Sequence, residues 1–209
     1  MINKTQSMSV PDNLTLEQIE SNCWKMLLEG VVDRNNLMHQ AVVSNAKGNT
    51  SIMRTVILRR VDSQAKKLFF HTDYRSLKVA SIQDTGMLSW LFYDQTQRTQ
   101  IRLSGPTIVH HKDEYCKTHW DKTPHHSRRS YMFHKAPSTP LTSEDYGMSD
   151  KLITFNYTLE ESEIGFNHFA VVETNVEWLE WYFTHHTGNK RAEFNFKNAN
   201  LTNASWLMP

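Results

Sequence analysis

The sequence has little cysteine. Cys23 and Cys116 are the only two in 209 residues, and no CxxC pair occurs. That excludes a disulfide framework and a zinc ribbon, and leaves two reduced, buried thiols as the expectation. Charge of one sign is not in excess either. Lys+Arg is 23 against Asp+Glu 22, a net charge of +1, whereas a nucleic-acid-binding domain carries a basic surplus or stripe. Long apolar runs are missing: none approaches the ~20 residues of a membrane span. Residues 1–13 lack the apolar core of a signal peptide. These absences predict a cytoplasmic protein with no nucleic-acid partner and no membrane, beginning with a flexible stretch at residues 1–13.

Metal and hydrolase signatures are missing as well. There is no HExxH and no Cys/His ligand spacing. The adjacent pairs His110-His111, His125-His126 and His185-His186 would point to opposite faces of a strand and so could not share an ion there. Ser104-Gly105 is not a G-x-S-x-G elbow. His119-Trp120-Asp121 reads as a helix end with an aromatic anchor. The expectation is no metal, and no catalytic acid or base can be named.

What is present is a series of short apolar alternations with dense aromatics, Trp 6, Tyr 7 and Phe 10. Residues 14–29 suit an amphipathic helix. Thr15 and Gln18 form a capping box, Leu16, Ile19, Cys23 and Leu27 share a face, and Gly30 stops it. Strands are predicted over 38–45, 51–61, 68–72, 87–93, 97–110, 166–174, 177–185 and 191–196, with a hairpin turn at Lys47-Gly48-Asn49 and a bend at Gly105-Pro106. Short helices fit 75–83 and 111–120, residues 121–150 read as loop with short turns, and 151–162 stay ambiguous. No repeat or linker divides the chain. Residues 14–209 are expected to form one mainly β domain with flanking helices, a closed or partly closed barrel.

One segment carries chemistry. On a strand, Arg54, Val56 and Leu58 share one face and Thr55, Ile57 and Arg59 the other. A second strand ends at Thr72, and a helix starting near Ser76 offers free N–H groups. Arg54, Thr72, Ser76 and Lys78 together suit a phosphate dianion. The plainer reading is surface cations and a helix cap.

Arg54-Thr55-Val56-Ile57-Leu58-Arg59 fits R-x-V-[IL]-L-[KR], and Phe70 to Lys78 fits F-x-T-[ND]-x-x-S-x-K. Together they resemble the flavin-binding segment of the pyridoxamine 5'-phosphate oxidase family. Gln100 to Gly105 resembles its Q-V-x-V-x-G strand, Ser127 and Lys135–Ser138 fall in its middle loop, and Val176-Glu177-Trp178 resembles its I-E-F strand. Arg191 falls on a family arginine, and Trp206-Leu207-Met208-Pro209 is similar to its ending. The resemblance implies an FMN-binding split β-barrel, working as a homodimer with FMN at the interface. It implies that Arg54 to Arg59 run along the flavin and that Arg54, His71, Thr72, Ser76 and Lys78 hold its phosphate and ribityl chain. Gln100 would reach the ring, and Ser138 and Arg191 would come from the other subunit.

Departures qualify what is implied. The family arginine before Lys78 is Leu77 here, with Arg75 as a substitute donor, and Leu179 stands for a family tryptophan. The family's Tyr…Arg…Ser substrate set, spaced by four, falls on His119, Thr123 and Ser127, with Arg128 or Arg129 as compensating cations. Its R-L-H segment is Gly188-Asn189-Lys190. The FMN site is kept and the pyridoxamine phosphate site is not. The reading is an FMN-dependent oxidoreductase on an unidentified small molecule. Its alternatives are a non-catalytic FMN binder or sensor, and a split barrel holding haem or a deazaflavin.

Overall fold

The computed structural model describes residues 14–142, 144 and 147–209; the flexible start expected at 1–13 lies outside them. Helix α1, Leu16–Val32, begins with the expected capping box: Thr15 Oγ1 accepts from the Gln18 amide, and Gln18 Oε1 accepts from the Thr15 amide. Gly30 does not stop the helix, which runs two residues further. Its role is close approach: a Cβ there would sit 2.6 Å from the Met38 carbonyl. Ile19, Cys23, Trp24 and Leu27 are buried in the main core, each large apolar side chain contributing roughly 1.5–3 kcal/mol. Trp24 meets Phe196 edge-on at 6.3 Å, and Lys66 donates to Glu20 at 2.7 Å. The helix therefore caps one end of the barrel.

The chain then enters β1, Gln40–Lys47, and turns at Gly48 and Asn49 into β2, Thr50–Ile57. The expected strand 51–61 is in fact two. It breaks at Leu58-Arg59, where the Leu58 amide donates to His39 O and the Arg59 amide to Phe69 O. The chain thereby leaves one sheet and joins another as β3, Arg60–Asp62. Then follow β4, Lys67–Asp73; α2, Leu77–Thr85; β5, Met87–Asp94; β6, Thr99–His110; and α3, Glu114–Asp121. Short turns of helix lie at His125–Arg128 and beyond, within the expected loop. β7, Phe169–Asn175, starts later than periodicity predicts because residues 163–167 are a 3₁₀ turn. β8, Trp178–Phe183, and β9, Lys190–Lys197, match expectation. The sequence reading missed β10, Asn200–Leu207, because its Asn-rich run has low strand propensity. It pairs with β9 through a turn in which Asn198 and Ala199 both have positive φ, 50° and 64°.

The long sheet runs β10-β9-β8-β6-β5-β1-β2, and a smaller one runs β3-β4-β7-β6. Strand β6 belongs to both. Its first half pairs with β8 up to Ser104 and with β5 up to Pro106, and its second half with β7 from Thr107. The crossing is Gly105: a Cβ there would lie 1.8 Å from the Asn175 carbonyl oxygen, so no side chain fits. Beside it, Trp90 Nε1 donates to Thr174 Oγ1 at 3.0 Å, and Thr107 Oγ1 lies 3.0 Å from the same hydroxyl. The two sheets enclose the main core. Phe69, Cys116, Trp120, Phe169 and Val171 form a second core between α3 and the smaller sheet. Neither cysteine is bonded to the other. The sheet is open at its β2 and β10 edges, a split barrel. No helix among the described residues is long and apolar enough to cross a membrane.

Candidate functional site

Arg54 sits opposite Val43 in the β1–β2 register and therefore faces the barrel interior, at the open edge strand. It donates to Asn45 Oδ1, and Asn45 Nδ2 donates to Ser81 Oγ on α2 at 2.6 Å. Thr72 leaves β4 on the same inner face as Leu68 and Phe70. Ser76 is the N-cap of α2, but its hydroxyl makes no cap bond. Lys78 Nζ donates to Thr72 Oγ1 at 2.9 Å and to Ser76 Oγ at 3.2 Å. The structure thus brings Arg54, Thr72, Ser76 and Lys78 together at the start of a nine-residue helix.

Electrostatics mark this cluster. Burial lowers the pKa of both cations, and for Lys78 the nearby Arg54 charge lowers it further, against a smaller opposing effect of Asp73. Neither cation has an ion-pair partner among the described residues. Arg75 is no substitute donor: it grips Asp73 with Nε and Nη2 at 3.0 and 2.7 Å and donates to His134 O. Leu77 points to solvent, 61% exposed.

The other expected flavin residues separate. Val56 and Leu58 are core residues, so they can offer only backbone. Thr55 and Ile57 lie on the outer face, and Arg59 is exposed past the strand break. Gln100 alternates with the core residues Ile101 and Leu103 and so lies on the outer face of the long sheet, opposite to Arg54. Three strand spacings part them, ~14 Å. Ser138 is exposed in a loop with φ 68°. Arg191 on β9 donates to Glu180 Oε2 at 2.8 Å, while Arg102 Nε donates to Glu180 Oε1 at 2.8 Å. Five strand spacings separate Arg191 from β2, ~24 Å. Leu179 faces the core, and Trp178 faces out beneath the Arg102 guanidinium.

His71 is on the other face of β4 from Thr72, and it opens a second feature. A cleft of about 770 Å³ is lined by Arg59, Arg60, His71, His119, Tyr131 and neighbours. His119, Thr123 and Ser127, the positions spaced by four, all line it. Arg128 and Arg129 do not compensate. Arg128 is buried against Glu163 and the carbonyls of Trp120 and Thr123, and Arg129 lies over Phe155, 3.9 Å away. His71 Nε2 is 3.2 Å from His119 Nδ1. Burial first, then the His119 and Arg59 charges, pull His71 down to about 3 from an ordinary 6.5. Arg60, Lys122 and Tyr131 were not anticipated, since no local pattern announces residues gathered from a strand break, a helix end and a distant turn.

His110, the last residue of β6, bonds Asp113, while His111, just past the strand, stacks on Tyr74 at 3.7 Å. His185 and His186 lie beyond the end of β8 instead, with rings 4.1 Å apart. Among the described residues no cluster of three ligands could hold a metal.

Residues 21–111 match the family described as pyridoxamine 5'-phosphate oxidase, FMN-binding domain. The span includes the Arg54 and Thr72–Lys78 segments. The matched stretch, under half of the chain, is similar to that family's domain, and the fold is that of a split barrel. The chain's backbone is similar to that of a pyridoxamine 5'-phosphate oxidase-related, FMN-binding protein from Nostoc punctiforme: TM-score 0.72 at 15% identity, covering 90% of this chain and 96% of that one. It is also similar to PhzG from Burkholderia lata, solved with tetrahydrophenazine-1-carboxylic acid: TM-score 0.66 at 15% identity, covering 97% and 98%. At that identity the likeness is one of fold. No curated protein matches the chain by sequence.

Proposed function

We propose that this split barrel binds FMN and acts as a flavin-dependent oxidoreductase on a small molecule, in the cytoplasm and as a homodimer. The observation that carries the reading is the cradle of Arg54, Thr72, Ser76 and Lys78. Two cations without carboxylate partners, two hydroxyls and an uncapped helix start are the donor set a phosphate monoester requires. Matched residues 21–111 contain all four. FMN, when bound, supplies two-electron chemistry at its ring. The chain's own part is to hold the phosphate with Arg54 and Lys78, donate to the ribityl chain from Thr72 and Ser76, and offer the backbone of residues 54–59 to the ring edge. Gln100 and Arg191 lie three and five strands from β2 along the long sheet. The dimer in this reading follows from the family resemblance, in which Ser138 and Arg191 come from a second copy and Gln100 reaches the ring.

The test is an FMN titration followed by visible absorbance, with riboflavin as the ligand lacking a phosphate. Removing Arg54 or Lys78 (Arg54→Ala, Lys78→Met) should weaken FMN about ten- to a hundredfold, from the ~1.5–3 kcal/mol of a charge-assisted bond, and leave riboflavin unchanged. FMN binding insensitive to both substitutions would place the phosphate elsewhere. Absence of FMN binding to the wild-type chain would favour the alternative ligands, haem or a deazaflavin, and tight FMN without turnover of any donor would favour the sensor. Sedimentation of the loaded protein tests the dimer.

A further inference from the structure

Asn45 breaks the pattern of its strand. The inner face of β1 carries Ala41 and Val43, both buried in the core. The next inward position is an amide, Asn45, only 5% exposed. A buried amide is unfavourable unless it is bonded, and Asn45 is bonded on both sides. Its Oδ1 accepts from Nη1 of Arg54, its diagonal neighbour across the β1–β2 pair. Its Nδ2 donates to Ser81 Oγ at 2.6 Å. Ser81 in turn donates its one hydroxyl proton to the Ala46 carbonyl at 3.1 Å. With that proton committed, Ser81 can only accept from Asn45. The amide therefore has one orientation, oxygen towards Arg54 and nitrogen towards α2.

Five other arginines of the chain are held by carboxylates: Arg60 by Asp62, Arg75 by Asp73, Arg102 and Arg191 by Glu180, and Arg128 by Glu163. Arg54 is held by a neutral oxygen instead. An amide fixes the guanidinium without cancelling its charge, and this one takes up only Nη1. The Nε and Nη2 edge, a fork that matches two phosphate oxygens, has no partner among the described residues.

We propose that Asn45, oriented by Ser81, is a positioning residue for the phosphate group, presenting Arg54 as an uncancelled, fixed positive charge to the same anion that Lys78 meets. The two cations then share one reference. Ser81 lies three residues after Lys78 on α2, where side chains are neighbours. The helix that carries Lys78 thus also sets, through Ser81 and Asn45, where Arg54 points. Neither Asn45 nor Ser81 falls within the segments 54–59 and 70–78 that carry the flavin-binding motifs. The inference rests on the flavin reading for the identity of the ligand, though not for recognition of a phosphate.

Asn45→Asp separates positioning from bracing. Aspartate keeps the shape and the oxygen facing Arg54, so a residue that only braces β1 against α2 would tolerate it with FMN affinity intact. A residue that presents charge would not, because the new carboxylate neutralises Arg54. FMN titrated by visible absorbance should bind about tenfold or more weaker, with riboflavin, which has no phosphate, unchanged. Ser81→Ala, which frees the amide to turn, should weaken FMN about three- to tenfold, and Ser81→Thr, which keeps the hydroxyl, should bind as the wild type does. Asn35→Asp adds the same charge at an exposed turn before β1 and should leave FMN affinity unaltered. Thermal midpoints in inorganic phosphate give a readout free of flavin: phosphate should raise that of the wild type and not that of Asn45→Asp. Wild-type FMN affinity in folded Asn45→Asp protein, checked by circular dichroism, overturns this inference alone. Should that variant not fold, unchanged FMN affinity in Ser81→Ala overturns it equally. Phosphate stabilisation that is lost in Asn45→Asp, in a chain that never takes FMN, refutes the flavin reading alone.

Discussion

His71 couples stability to acid. In the folded chain its imidazole is held down to about 3, against 6.5 when free. Above about pH 6.5 both states leave it neutral, and it imposes no pH dependence. As the pH falls below that value the unfolded chain takes up a proton that the folded chain refuses, so stability drops, and it continues to drop until the folded group itself titrates. At about pH 5, some 1.5 units below the free value, the loss from this one group is roughly 2 kcal/mol at 1.36 kcal/mol per unit. That is a large share of a typical ~5–15 kcal/mol. Urea unfolding of the wild-type and His71→Gln proteins at several pH values isolates it, because glutamine keeps polarity and cannot charge. The wild-type curve should fall between about pH 6.5 and about pH 4.5 more steeply than the variant's, the gap widening to roughly 2 kcal/mol by about pH 5. Parallel curves would mean that His71 charges in the folded state and that its contact with His119 is a proton-sharing pair rather than two neutral rings.

Gly105→Ala should cost about 3 kcal/mol or more in denaturant unfolding, because the added methyl meets the Asn175 carbonyl and backbone cannot yield as a side chain does; a loss under about 1 kcal/mol would show the crossing to be looser than it stands. Ala199→Gly should raise the thermal midpoint, gaining about 0.5–1 kcal/mol once the relief of left-handed strain at φ 64° is set against glycine's entropy. A lower midpoint would contradict that. Cys23→Ala should be destabilising by about 1–3 kcal/mol with no change in oxidant sensitivity, since burial pushes that thiol far up and out of reactivity; loss of a reactive thiol on Ellman titration of the native protein would refute it.

Much of this fold could be read from residues. The Thr15/Gln18 cap, the Gly48-Asn49 hairpin and the alternation of Ile101 and Leu103 are local signals, and each sits where chemistry of neighbouring residues puts it. The clustering of Thr72, Ser76 and Lys78 was legible for the same reason, since the three fall within residues 72–78 and only Arg54 comes from elsewhere. What escaped was set by tertiary contact. The strand break at Leu58-Arg59 follows from hydrogen bonds to His39 and Phe69, and nothing in the β-branched run 51–61 shows it. Gly30 looks like a helix stop but is small because Met38 passes over it. β10 is a strand because β9 offers a free edge, not because Asn-Leu-Thr-Asn favours one. Arg128, a plausible substrate contact by spacing, is claimed by Glu163 from a distant turn. The cleft gathers His71, His119 and Lys122 from separate elements, and the spacing of His119, Thr123 and Ser127 was the one trace of it in the sequence.

The sharing of β6 between the two sheets has a kinetic consequence. A strand hydrogen-bonded to β5 and β8 at one end and to β7 at the other cannot be released by opening either sheet alone. Its central amides, around Leu103 to Thr107, should therefore exchange with deuterium only when the whole molecule opens, while edge strands β2 and β10 exchange by local fraying. The cradle links the frayable strand β2, through Arg54, to the end of β4 and the start of α2, while the His71 cleft lies on the other face of β4, towards α3. A ligand in the first would thus register as slowed exchange along β2 and the start of α2, and a ligand in the second as slowed exchange in α3 with β2 unchanged.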